Sequence, residues 1–186
     1  MKWIWISFIL TLALFYSCQN SKKAQWKKYV ESEVKAHVNR KFFYPDSAFS
    51  SYPESAFDSV IRADLKIVAS LDIDCSTCLG KFYYWNKFFH RVDSIYGLTV
   101  PVVLYVHSET KFGEEMEKLM SSQWSYLWAH DCKYEYIDKN NLYDERFQVL
   151  VLDEGNIIRL VGNPFLNQAM EELFIKYIIS KHEKEK

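Results

Sequence analysis

Two cysteines three residues apart, in Asp74-Cys75-Ser76-Thr77-Cys78, are the side chains of this sequence best suited to chemistry. They fall between an apolar, strand-like run, Lys66-Ile67-Val68-Ala69-Ser70-Leu71, and a long helical segment. Thiols at i and i+3 across such a junction can close a small disulfide ring without unfolding either element. Cys75 is the expected reactive member, because free N–H groups and the macrodipole at a helix N-terminus stabilise a thiolate. Cys78, one turn inside, is the expected resolving thiol that attacks a mixed disulfide. Asp72 and Asp74 add negative charge near Cys75 and oppose the dipole. A disfavoured thiolate makes the reduced pair less favourable, so the dithiol is expected to be a reductant more than a strong oxidant. Asp74 could also cap the helix through its side chain.

The elements that must hold this motif follow from periodicity. In the helical segment Cys78, Phe82, Trp85, Phe89, Val92 and Tyr96 recur at spacings of 4, 3, 4, 3 and 4, and Gly97 stands where a helix ends. Tyr83, Tyr84 and Phe88 fall on the other side. Val100 to Val106 is a nearly continuous apolar run, as in a strand buried on both faces. Strand, helix and strand within about 40 residues make a βαβ unit with a parallel sheet. A helix at about 111–120 and a short strand at Lys133–Ile137 are expected next. Phe147–Asp153 and Asn156–Val161 flank Glu154-Gly155, a hairpin signal. Asn163-Pro164 is expected to cap a last helix with the stripe Leu166, Met170, Leu173, Phe174, Tyr177 and Ile178. Upstream, residues 21–39 repeat Trp26, Val30, Val34 and Val38 every four positions, and Arg40 to Ala63 reads as an aromatic-bearing connector with Pro45 and Pro53.

The N-terminus carries an apolar run from Trp3 to Tyr16, broken only by Ser7 and Thr11. It is too short to span about 30 Å of hydrocarbon but suits an export signal. Ser17-Cys18 closes the run ahead of polar Gln19 to Lys23 and resembles a bacterial lipobox, with Phe15 in place of the usual Leu. That resemblance implies cleavage after Ser17, a lipidated Cys18 and a mature chain held by acyl groups. The expected organisation is a lipoprotein signal at 1–17, an N-terminal helix and connector at 18–65, and a main domain at 66–186. An exported chain lies where disulfides persist.

The order strand, Cys-x-x-C helix, strand, helix, hairpin and final helix resembles the thioredoxin fold over about residues 66–180. More narrowly, the chain looks like exported, membrane-tethered thioredoxin-like lipoproteins of bacteria. In those, small polar residues separate the cysteines, an aromatic-rich helix follows, and a Gly-Asn-Pro, here Gly162-Asn163-Pro164, comes after the hairpin. The resemblance implies an α/β three-layer sandwich, a central mixed sheet flanked by helices, with an N-terminal helical extension. It also implies thiol–disulfide exchange with exported proteins through Cys75 and Cys78, no cofactor, and an unidentified electron donor. The expected location is the cell envelope, on the periplasmic side of a bacterial membrane, the outer one in preference. Two departures stand out. Asp144-Glu145-Arg146-Phe147 occupies the place where the family has a proline before the first hairpin strand, and Asp74 replaces the tryptophan that often precedes the first cysteine. A non-catalytic binding or assembly lipoprotein, and a metal-binding variant using the same cysteines, stay open as alternatives.

Other residues weigh less. Cys132, left over once Cys18 is lipidated and Cys75 pairs with Cys78, could serve as a third thiol, although a single Cys beside a strand is more often a small buried group. His130-Asp131-Cys132 could join Cys75 and Cys78 in a zinc-type site. His107 closes a strand at the edge where parallel sheets bind ligands, and could modulate the dithiol, with a capping or surface role the more ordinary reading. His90 is expected in solvent. Copper-delivery relatives would use Cys-x-x-x-Cys and a His, one residue wider than here. Peroxiredoxin chemistry would want a Thr two residues before its cysteine, where Ile73 and Ser76 stand. The 186 residues, 49% hydrophobic and 25% charged, are ordinary globular usage and exclude a largely disordered chain. With 23 basic against 24 acidic residues there is no positive field for a nucleic-acid backbone, which removes that class.

Overall fold

The structure, a computed structural model, describes residues 22–48, 50, 52–74, 76–108, 118, 120 and 126–183, and for 76–82 the backbone alone. The expected export signal, Cys18, Cys75 and most of the expected 111–120 helix lie outside the described residues. The chain divides into two compact units at His37. In the first, residues 22–37 form helix α1, where Lys27 and Glu31 pair one turn apart.

The second unit holds one mixed sheet of five strands in the order β3-β2-β1-β4-β5. β1 (Leu65–Asp72) and β2 (Val102–His107) run parallel, in the register Ile67 to Val102 through Asp72 to His107. β3 (Leu127–His130) adds a parallel edge to β2. β4 (Val149–Asp153) pairs antiparallel with β1, and β5 (Ile158–Val161) antiparallel with β4. Every position of β2 is buried, as its unbroken apolar run requires. The connection between β4 and β5 turns at Glu154-Gly155, with Asn156 in the left-handed region at φ 60°.

The unit also contains helices α2 (Glu54–Ile61), α3 (Ser76–Tyr96), α4 (Glu135–Asn140) and α5 (Gln168–His182). Among the described side chains of α3 the buried ones are Trp85, Phe88, Phe89 and Val92, an i, i+3, i+4, i+7 face, and they share a core with Phe174, Ile175 and Ile178 of α5. Phe88 therefore belongs to the buried face, while Tyr83, Tyr84 and Tyr96 are exposed. Gly97 ends α3 at φ +61°, a conformation that strains any side chain.

Three expectations are corrected. No strand forms at 133–137. The parallel edge strand lies earlier, and the following residues turn into α4 because the Asp131 carboxylate accepts the N–H groups of Glu135 and Tyr136 at 3.0 and 2.7 Å. The last helix is capped by Asn167, whose Oδ1 accepts Met170 N–H at 3.0 Å, whereas Asn163 closes a local turn on Phe165 N–H. Leu166 and Leu173 are consequently exposed, and Ile175 takes the core position. The connector is more ordered than its composition suggests. Besides α2, it supplies residues 39–42, which bond the hairpin edge through Asn39 N–H to Ile158 O and Phe42 N–H to Asn156 O, both at 2.8 Å. That covers an open edge and buries Phe42.

Candidate active site at the carboxyl edge of the sheet

The Cys-x-x-C motif occupies the step from β1 to α3. Asp72 ends the strand, Ile73 N–H donates to His107 O at 3.1 Å, and α3 starts at Ser76. Cys78 lies in the first turn of α3, and Cys75 immediately precedes the helix in sequence. Asp72 and Asp74, the two carboxylates expected to influence the thiols, are exposed at this edge. They fold the backbone into a tight turn, with Asp74 N–H donating to Asp72 Oδ1 at 2.9 Å. The Asp74 carboxylate also accepts the Ser108 hydroxyl at 2.6 Å, tying the step to the end of β2.

His107 is the main surprise. A strand-closing histidine was expected to cap or face solvent, yet only 1% of it is exposed. Its ring stacks on Tyr134, centroids 4.7 Å apart and planes within 7°. Nδ1 lies 3.1 Å from the Asp131 carbonyl and 3.7 Å from Asp131 Oδ2. Both oxygens only accept, so Nδ1 carries the hydrogen and Nε2 of the neutral ring is a bare acceptor. Burial lowers the His107 pKa below the ordinary histidine value, against the upward pull of Asp131 and Asp72. The ring is therefore neutral at pH 7. His130 is lowered too, again mainly by burial, with the Ser108 carbonyl, Asp131 and Asp74 pulling the other way.

Beside this edge opens a cavity of about 410 Å³, within the size range of small-ligand pockets. Its aromatic lining includes Trp85, Tyr134 and Phe165, with Trp85 and Phe165 edge to face at 4.7 Å. Its polar lining includes His107 and Ser70, both buried. Neither His107 Nε2 nor Ser70 Oγ has a hydrogen-bond partner among the described residues. A buried polar atom left unmatched costs about 1–3 kcal/mol, so two at one cavity are a feature to be explained.

Glu145 and Arg146 also line the cavity and belong to the segment that replaces the family's proline. It forms a 3₁₀ turn, Glu145–Phe147, capped by Asp144, whose Oδ1 accepts the Arg146 backbone N–H at 3.0 Å and its Nε at 2.7 Å. The guanidinium is thus held by the turn's own carboxylate.

The other sequence candidates do not converge here. Asp131 is committed to capping α4, and Cys132 is exposed rather than buried. Among the described residues no three His, Cys, Asp or Glu side chains are grouped to hold a metal, so His130-Asp131-Cys132 alone makes no such site. Ser70 was missed by sequence reasoning, although a hydroxyl inside a strand buried on both faces was the available signal.

No protein-family model and no curated protein matches the sequence. Among solved structures the chain is similar to copper-bound yeast Sco1, with a TM-score of 0.52 and 12% identity over 66% of this chain and 80% of that one. A second yeast Sco1 structure gives 0.51 and 13% over 69% and 85%. A thioredoxin-like protein from Aeropyrum pernix covers 86% of this chain and 99% of its own at 13% identity and a TM-score of 0.47. With its β1-α3-β2 parallel unit, its antiparallel β4-β5 hairpin, its final helix and its mixed sheet flanked by helices, the chain has a thioredoxin-like fold.

Proposed function

We propose that this chain is a lipid-anchored thiol–disulfide oxidoreductase of the bacterial cell envelope, working on exported proteins through Cys75 and Cys78. The observation that supports it most is the position of the motif. It falls at the carboxyl end of a buried parallel strand and the start of a 21-residue helix, beside a cavity large enough for part of a client. In the reducing direction the Cys75 thiolate attacks one sulfur of a client disulfide, forming a mixed disulfide and expelling the other client sulfur as a thiolate. Cys78, as its thiolate, then attacks Cys75 sulfur, releasing the second client thiolate and closing the Cys75–Cys78 disulfide. Two electrons pass to the client, whose thiolates take up protons from solvent, and a reduced thiol donor must reopen the enzyme disulfide. Asp72 and Asp74 bias the pair toward this direction by disfavouring the thiolate. Cys18 carries the membrane attachment.

Insulin reduction tests the chemistry. Wild-type protein should be active and Cys75→Ser inactive, while Cys78→Ser should accumulate mixed disulfides on Cys75. A reduction potential near the strong-oxidant end, about −120 mV, would contradict the reducing direction. An inert wild-type protein would leave the binding-module reading, and metal recovered with protein purified under reducing conditions would leave the metal-binding one.

A further inference from the structure

Little of the polar lining of the cavity beside the motif can be reached from the cavity itself. Ser70 Oγ and His107 Nε2 are sealed from solvent. The Arg146 guanidinium is tied to its own turn, with Nε donating to Asp144 Oδ1 at 2.7 Å and a second contact to Oδ2. Asp72 and Glu145 differ, because both are exposed and both belong to the lining. They come from separate elements, the carboxyl end of β1 and the 3₁₀ turn at Glu145–Phe147, so the fold sets two carboxylates around one space. Asp72 Oδ1 accepts Asp74 N–H at 2.9 Å, and a carboxylate has lone pairs for further donors. The rings within reach are Tyr84, 58% exposed, and the half-buried Tyr134 and Phe165. A group suited to both features is an organic cation on an apolar stem. Its N–H groups pair with carboxylates, while stem and charge rest against aromatic rings. An anionic ligand would be repelled, and among the described residues no three side chains gather to hold a metal ion.

We propose that the cavity is a specificity site for an arginine or lysine side chain of the client polypeptide, its stem against Tyr84, Tyr134 and Phe165 and its charge paired with Asp72 and Glu145. Charge complementarity selects the occupant, and the place selects its source. Asp72 stands three residues before Cys75, so a basic side chain close to the client's own cysteine falls at this cavity while the sulfurs exchange. In naming the bound group as part of a client, this rests on the exchange reading above. Arginine gains the most, since its planar fork meets carboxylates while its flat face lies on a ring.

The test avoids redox activity. The full chain carrying Cys75→Ser and Cys78→Ser is titrated with acetylated, amidated pentapeptides that differ only in a central arginine, citrulline or glutamate. Citrulline keeps the length and the planar end of arginine and lacks its charge. At low salt the arginine peptide should bind about fivefold tighter than the citrulline one, with glutamate weakest. The advantage should shrink between about 0.01 M and 1 M salt, as the screening length falls from about 30 to 3 Å. Asp72→Asn and Glu145→Gln, which keep shape and remove charge, should each reduce the preference, and together they should erase it. Glu154→Gln removes a carboxylate beyond the opposite end of β1 and should leave it unchanged. Equal binding of arginine and citrulline peptides at low salt, a preference that survives the double substitution, or an equal loss in Glu154→Gln overturns the proposal. A clear arginine preference in a chain whose wild-type form reduces no disulfide would support the site and sink the exchange reading alone.

Discussion

Lys66 and His107 lie at opposite ends of the paired strands β1 and β2, equally buried and oppositely equipped. Lys66 is 0% exposed, and its three ammonium protons meet three carbonyls: Ile61 at 2.6 Å, Ala63 at 3.1 Å and Asp153 at 2.8 Å. It closes the end of α2 and anchors it to β4. Burial lowers its pKa, while Asp153, Asp64 and Glu154 pull it back up. At the other end His107 matches one nitrogen, and the other has no partner among the described residues. A polar group matched on every side is a structural device. One matched on one side only, at the edge where the Cys-x-x-C motif sits, keeps an uncompensated cost of burial.

The contrast can be broken by substitution. Lys66→Met should cost about 2 kcal/mol or more, since it strands the Ile61 and Ala63 carbonyls in the interior, while the Asp153 carbonyl keeps the Asn156 N–H at 2.9 Å. A fall in the urea midpoint at constant m would register it. His107→Phe should change stability by less than about 1 kcal/mol, because it loses the Asp131 bond but also removes the unmatched acceptor and keeps a ring on Tyr134. Similar costs at the two sites would erase the distinction. The smallest effect is the pH dependence. The folded His107 stays neutral below the ordinary histidine pKa of about 6.5, whereas the unfolded chain takes up a proton there. The stability it supports is therefore complete above about pH 6.5 and falls as the pH drops toward the lower folded value, by at most about 1.4 kcal/mol per pH unit. His130 adds a slope of the same sign, so the difference between wild type and His107→Phe isolates His107. A wild-type acid limb no steeper than the variant's would count against a neutral buried ring.

Much of the fold was legible. The βαβ unit, the hairpin, the glycine that ends α3 and the placement of Cys-x-x-C between strand and helix all follow from patterns a few residues long. The misreadings share a cause. Lys133 to Ile137 alternates like a strand, but Asp131 four residues ahead of Glu135 supplies a cap that turns the segment into a helix. Asn163-Pro164 has the form of a helix start, yet the chain uses Asn167, and the buried face rotates so that Ile175 replaces Leu173. In both places two local signals competed, and the contact with the sheet selected between them.

The candidate site divides along the same line. Its sulfur spacing and the strand-to-helix junction around it were properties of consecutive residues, fixed by the geometry of one helical turn. The burial of His107, the satisfaction of Lys66 and the cavity that Ser70 shares with Phe165 depend on residues brought together from distant parts of the chain. Sequence pattern decides which face of an element is apolar. Only the packed sheet decides which polar atoms on that face find partners, because hydrogen bonds are matched in space and not along the backbone.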